Sequence, residues 1–399
     1  MEFMTTPYDL RSASTDAPTT LPDVLATAVS GNFSLIDEDL DLEDELLFHV
    51  ILYKVVVPVM FGLIIGVGVI GNALVVYVTL TCRAMRTTVN LLLLNLAASD
   101  LLFLVVAVPF ITYHFAADNW QIGDVACKLS HFVLYVSVYV TVYTLVAIAV
   151  VRFVSVVRSS PLPTPAPRRV GLVVVAVWTA MVAANSPLLA MYRVKVFVVP
   201  NTDIEPYYYC ALDDHLRHGP PLFVTFFALT YVVPLTVIVT MYLLIVRYLV
   251  ARRHGMAVQT TRGARAGGAR LQSLQSRRAS YAWRVFLAVV VVFGVCWLPM
   301  HAHLLVAYLG LLPKTRSYAV FRVFCHCLAY SNSCANPFVY HYVSADFRRC
   351  LADVAAAAVA GICRRRRRQP GRRRQRRHTL EECTVSQKDG KKTLDQRRY

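Results

Sequence analysis

Asp100 closes the run Leu91-Leu92-Leu93-Leu94-Asn95-Leu96-Ala97-Ala98-Ser99, which sets a carboxylate in hydrocarbon. In a bilayer such a charge costs about 2.5 kcal/mol or more, so Asp100 must face a wet cavity or a partner. An intramembrane hydrolase would need a second catalytic group beside it, and no other acid lies deep in an apolar run. The chemistry indicated is therefore recognition and charge storage, and no enzyme is expected. Arg152 is the other buried-type charge, near the inner end of an apolar run that opens at Cys127 and closes at Val157. Two histidines, His301 and His303, follow Cys296-Trp297-Leu298-Pro299, and Tyr113, His114 and Tyr208 flank other apolar runs. These imidazoles and phenols are hydrogen-bonding groups suited to orienting a ligand in a mostly apolar mouth.

The elements that must position these residues are membrane helices. Of the 399 residues 56% are hydrophobic and 16% charged, which excludes an ordinary soluble domain. Seven runs reach spanning length: 52–80, 89–113, 127–157, 169–191, 220–250, 284–309 and 318–342. They do not alternate as barrel strands do, so the fold class is an all-α seven-helix bundle. The expected division is a disordered arm over 1–48, the bundle over 49–343, an amphipathic surface helix over 344–363 and a basic disordered tail over 364–399.

Net charge is +17, crowded into Arg247–Arg284 and the tail from Arg348, whereas the first 48 residues hold many acids and one arginine, Arg11. The positive-inside rule puts the N-terminus outside and the tail in the cytoplasm. A polybasic segment beside a membrane meets anionic lipid rather than nucleic acid. The start lacks a basic region followed by an apolar core, so no cleavable signal is expected and the first span serves as its own insertion signal. Of ten cysteines, Cys127 and Cys210 alone fall on the outer, oxidising side, and they are expected to pair. Asn32-Phe33-Ser34 is a glycosylation sequon. Ser280, behind Arg277-Arg278, and Thr379 are expected phosphorylation sites. Cys350 or Cys363, beside arginines, is the expected acylation site.

Within the spans, Gly62, Gly66, Gly68 and Gly71 allow close helix approach, and Asn72 should bond to a neighbouring helix. Pro109, Pro234, Pro299 and Pro337 each remove a backbone donor and bend their helix. Polar groups beside Pro337 (Asn332, Ser333, Asn336) can re-satisfy the freed carbonyl. The prolines of 161–167 stiffen an inner loop. Alternation around Arg193–Val199, followed by Tyr207-Tyr208-Tyr209-Cys210, predicts an outer β-hairpin.

The set Gly71-Asn72, Leu96-Ala97-Ala98-Ser99-Asp100, Cys127, Trp178, Pro234, Cys296-Trp297-Leu298-Pro299 and Asn336-Pro337-Phe338-Val339-Tyr340 resembles the rhodopsin-like G-protein-coupled receptors, in order and spacing, over about residues 50–350. The stretch His326–Ser333, together with Trp297 and His301, is most similar to galanin and allatostatin-A receptors. The resemblance implies a sodium pocket at Asp100, Thr141, Asn332 and Asn336, with Trp297 as the toggle beneath the ligand. It also implies that Arg152 meets a heterotrimeric G protein when the sixth helix moves outward, with Tyr242 and Tyr340 then holding it. Arrestin is a further implied partner, and the plasma membrane the implied location. One departure matters. The family carries an acid before that arginine, and here Val151 stands in its place, so the usual resting ion pair is missing and basal signalling should be raised.

No carboxylate near Leu134 offers a counter-ion to an amine ligand, and no lysine in the seventh span can form a retinal Schiff base. The acids Asp118, Asp124, Asp203, Glu205, Asp213 and Asp214 and the arm should steer a basic peptide toward Tyr113, His114, Tyr208, Trp297, His301 and His303. A different peptide, a lipid or another small ligand, or a constitutively active receptor without a ligand, remain alternative readings. A secondary transporter would show internal repeats and a channel a recurring polar lining; neither is found.

Overall fold

The computed structural model describes residues 38–117, 119–157, 167–198, 206–213, 221–260, 290–307, 315–343 and 345–367, with residues 309, 311 and 313 between. Helix α1 joins Glu38–His49, a wider π-helical stretch Val50–Val56, and Val57–Thr81. A short 3₁₀ turn, Arg83–Met85, leads into α2 (Thr88–Ala116), which Thr87 caps by accepting from the Asn90 N–H at 3.3 Å. Then follow α3 (Gly123–Val157), α4 (Pro167–Asn185), α5 (Pro221–Phe227 continuing to Val233–Thr260), α6 (Val290–Ala307), α7 (Arg316–Val343) and the surface helix α8 (Ala345–Arg367). Between α4 and α5 lie two antiparallel strands, β1 (Tyr192–Phe197) and β2 (Tyr207–Leu212), in the register Val194 opposite Cys210. The hairpin is as expected.

Among the described residues, six helices are long and apolar enough to cross a membrane. The seventh, α7, is helical over 28 residues but carries His326, Asn332, Ser333 and Asn336, all buried, which dilute its apolar character. Such residues fit a helix that faces its neighbours rather than lipid. The outward surfaces of the other helices carry the hydrocarbon: Leu63, Ile70, Leu172, Val175, Leu243 and Val295 are all exposed.

The prolines leave a regular mark. Each π-helical stretch (Val50–Val56, Phe103–Ala107, Ala228–Val232) ends two residues before a proline, at Pro58, Pro109 and Pro234 respectively. Proline offers no N–H and its ring clashes with the carbonyl one turn back, and widening that turn relieves both. Pro337 is handled differently. The carbonyl that it orphans belongs to Ser333, and the Asn72 side chain donates to that carbonyl from α1 at 2.8 Å. The close approach this requires is possible because Gly71 has no side chain: a Cβ there would lie 2.9 Å from the Pro337 ring. Gly68 is tighter still, with Leu104 at 2.5 Å and the Cys334 sulfur at 3.0 Å from such a Cβ. Gly123 turns the chain into α3 with φ +82°, a backbone region that favours glycine.

Two boundaries differ from expectation. Helix begins at Glu38, inside the stretch read as a disordered arm. Arg316 explains it, since its guanidinium meets Glu45 at 2.6 Å and lies over the Phe48 ring, pinning this outer turn to the start of α7. At the other end α8 runs on to Arg367, into the run of arginines. Cys350 also departs from its expected role. It is buried and its sulfur is bonded to Cys82 at the inner end of α1, so in this bonded state its thiol is not open to acylation. Asn32, Ser280, Thr379 and the inner proline loop lie outside the described residues, as does the side chain of Cys363.

Candidate functional site

The outer end is built around the disulfide. Cys127 stands one turn into α3 and its sulfur is bonded to Cys210 of β2, as the sequence predicts. The bond lays the hairpin across the bundle. Three further contacts hold it there: the Trp120 N–H donates to the Tyr208 carbonyl at 2.8 Å, the Tyr208 N–H to Asn119 Oδ1 at 2.8 Å, and the Val194 N–H to Asp124 Oδ1 at 2.9 Å. The His131 ring stacks on Tyr192 at 3.9 Å beneath it. With both cysteine sulfurs bonded to each other, the nearby His131 imidazole has no thiolates to share a metal with.

The expected ligand residues fall in three groups. Tyr113, His114 and Tyr208 line a shallow cleft with Asn119, Trp120, Tyr207 and Tyr209 at the outer surface. His301 lies deeper, caged by Phe226, Phe227, Tyr231 and Trp297 with ring centroids 4.8–5.9 Å away. Both His301 nitrogens and the Trp297 indole N–H are buried, and among the described residues none has a hydrogen-bond partner. His303 faces the other way, toward α7, where its Nδ1 and the Tyr318 hydroxyl are 2.6 Å apart. Sequence reasoning missed the residues around it. Arg322 donates to the Tyr53 hydroxyl at 2.7 Å and lies over the Tyr53 and Phe115 rings, near His303 and His326. A cation among aromatic faces is stabilised by their quadrupoles. Its only sequence signal was an arginine early in an otherwise apolar run.

Several outer acids are already occupied. Asp124 pairs with Lys128 at 2.5 Å, Asp213 with Arg193, and Glu45 with Arg316. Steering by free charge therefore rests on exposed Glu43 and Asp44 among the described residues. Asp118, Asp203, Glu205 and Asp214 lie outside them.

Midway through the bundle Asp100 is buried. Its Oδ1 accepts from the Ser333 hydroxyl and its Oδ2 from the Asn336 amide, both at 2.8 Å. Ser333 and Asn336 are three residues apart and share one face of α7. Thr141 is turned to Ser99 instead, hydroxyl to hydroxyl at 2.6 Å. Asn332 is buried next to Ser333 in sequence. Thus the structure brings Asp100 and Asn336 into contact and adds Ser333 and Ser99, which were legible as small polar residues in these spans but not assigned. A second polar ladder ties α2, α3 and α4: the Trp178 indole donates to Asn95 Oδ1 at 2.8 Å, and the Asn95 amide to the Thr144 hydroxyl at 2.9 Å.

At the inner end Arg152 is half-buried on α3 within electrostatic reach of the buried Tyr242 of α5. Tyr340 is buried on α7, and its hydroxyl has no hydrogen-bond partner among the described residues. Helix α6 carries Pro299 within two residues of both Trp297 and His301 of the aromatic cage, a position at which a helix can change direction.

Residues 71–340 match the sequence profile of the 7 transmembrane receptor (rhodopsin family). Among curated proteins, the allatostatin-A receptor of Bombyx mori is 31% identical over 323 residues, covering 81% of this chain and 85% of its own length. Galanin receptor type 1 of Homo sapiens is 33% identical over 313 residues, 77% of this chain and 84% of that protein. Galanin receptor type 2 of Rattus norvegicus is 32% identical over 307 residues, 76% of each. With the disulfide-strapped hairpin, the buried Asp100 and the prolines inside α6 and α7 in their places, the chain belongs to the rhodopsin family of seven-transmembrane receptors.

Proposed function

We propose that the protein is a plasma-membrane receptor, N-terminus outside, that binds an extracellular peptide of galanin or allatostatin type and activates a heterotrimeric G protein. The observation that carries the reading is the trio of buried nitrogens without partners, two on His301 and one on Trp297. Buried polar groups left unpaired are costly, and a ligand reaching this depth relieves the cost by supplying donors and acceptors. The relatives' names, galanin and allatostatin-A receptor, support a peptide as that ligand. No chemical step on the ligand is required, so the protein acts by recognition and change of shape rather than as an enzyme.

Contact at Trp297 and His301 bears directly on α6, whose bend at Pro299 gives it a place to swing. On the inner side this movement would release the surroundings of Arg152 for the G protein, with Tyr242 and Tyr340 positioned to hold the guanidinium afterwards. Arrestin and anionic lipid are further proposed partners at the inner face. The residues around Asp100 suit a sodium ion: one buried carboxylate with Ser99, Thr141, Asn332, Ser333 and Asn336 offers only neutral oxygens otherwise, the donors a hard cation prefers. A bound sodium would neutralise Asp100 and favour the resting arrangement. Val151 stands at the position before Arg152 where the resemblance implies an acid, and with this substitution goes the proposed rise in basal signalling.

The test is nucleotide exchange on an added G protein in membranes carrying the full chain, with amidated neuropeptides as ligands. Stimulation that is lost in His301→Ala at unchanged surface expression supports the reading. Failure of every peptide together with a response to a lipid would replace the ligand class.

A further inference from the structure

We propose that Cys82 and Cys350 form a redox-controlled couple that, when oxidised, straps the surface helix to the first inner turn and withdraws Cys350 from acylation. The two sulfurs are bonded across 268 residues of sequence, with their Cα atoms 6.1 Å apart. Cys82 ends α1 and is half-buried, while Cys350 lies on the buried face of α8 beside Phe347. Arg348 fastens the same helix to the end of α7, donating to the carbonyls of His341 and Tyr342 at 2.9 and 2.6 Å. Oxidised, α8 is thus tied covalently to α1 as well as hydrogen-bonded to α7; reduced, it loses the covalent tie.

The proposal rests on the orientation given above, which puts this pair in the cytosol. Disulfides are rare there because thiol reductants keep cysteines reduced. A pair held at bonding distance in that compartment is open at rest and closes under oxidant load.

The oxidant is a hydroperoxide. The more accessible Cys82 thiolate attacks one peroxide oxygen, breaking the O–O bond, and the departing hydroxide takes up a proton to become water. The Cys350 sulfur then attacks the resulting Cys82 sulfenic acid, forming the S–S bond, and the hydroxyl leaves with the Cys350 proton as a second water. Two thiols are oxidised by two electrons in all, and one hydrogen peroxide is reduced to two waters. Thioester formation needs the free Cys350 thiol, so strap and acyl chain exclude each other at this residue.

The experiment is differential alkylation of the full receptor in intact cells, read by mass spectrometry, with and without hydrogen peroxide. The expected result is loss of alkylation at Cys82 and Cys350 together, appearance of the linked peptide, and recovery after dithiothreitol. Incorporation of labelled palmitate at Cys350 should fall under peroxide in wild type but not in Cys82→Ser, which keeps the acyl-accepting thiol and lacks its competitor. Both cysteines remaining alkylatable under peroxide in the folded wild-type receptor would overturn the proposal, as would equal peroxide sensitivity of acylation in Cys82→Ser. A membrane-impermeant phosphine separates this from failure of the orientation. In intact cells it should cleave Cys127–Cys210 and spare the peroxide-formed Cys82–Cys350 bond; cleavage of the latter alone would reverse the orientation.

Discussion

Replacing Asn72 by alanine should destabilise the receptor through a carbonyl on another helix. Pro337 lacks an N–H, so the Ser333 carbonyl has no donor within α7, and the Asn72 amide supplies one at 2.8 Å. The second Asn72 bond, to the Gly68 carbonyl at 2.9 Å, adds little, because that carbonyl keeps its own bond within α1. Leaving a buried carbonyl unpaired costs about 1–2 kcal/mol, allowing for the modest values measured between membrane helices. At about 1–2 °C per kcal/mol for a chain of this size, thermal unfolding of purified receptor should fall by roughly 1–4 °C. The decisive measurement is a double-mutant cycle. Pro337→Ala restores an N–H at position 337 that bonds to Ser333 within α7, so Asn72→Ala should cost less than half as much in that background. An equal loss in both backgrounds would refute the account of Asn72 as a substitute for the missing proline donor.

Asp100→Asn should abolish the effect of sodium chloride on agonist binding, measured against potassium chloride at equal ionic strength; an unchanged sodium effect would remove Asp100 from the proposed cation site. Val151→Asp should lower ligand-free nucleotide exchange several-fold at equal expression, since it restores a carboxylate beside Arg152, and basal exchange no lower than wild type would end the claim of a loosened resting state. Cys210→Ser opens a covalent loop spanning a sequence separation of 83, worth about 4.5 kcal/mol on chain-entropy grounds, so surface display counted by flow cytometry should fall sharply. Gly68→Val drives a side chain into Leu104 and Cys334 and should cost about 1–3 kcal/mol, whereas Gly62→Ala, with nothing within 4 Å, should leave the unfolding temperature unchanged.

Much of the architecture was legible because its causes are local. A run of apolar residues announces a span without reference to any neighbour, as at 127–157 and 220–250, which are matched by the helices starting at Gly123 and Pro221. Compartment alone narrowed ten cysteines to the pair Cys127 and Cys210, and alternation around Arg193–Val199 marked the hairpin. Pro109 and Pro234 marked places where a residue without an N–H disturbs its helix, though the form of the disturbance, a widened turn just ahead of each, came from the structure.

What the tertiary structure decided are the partnerships between elements far apart in sequence. Hydropathy places Asp100 in the membrane, but only the rotation of α7 about its axis chooses Ser333 and Asn336 as its partners and turns Thr141 toward Ser99. The acids at the mouth read as free charge until Lys128, Arg193 and Arg316 are found beside them. The Arg322–Tyr53 contact joins residues 269 apart in sequence, and the Cys82–Cys350 bond spans a comparable distance. Periodicity fixes which face of a helix is apolar. It carries no information on which neighbour that face meets, because that depends on how all the helices pack at once.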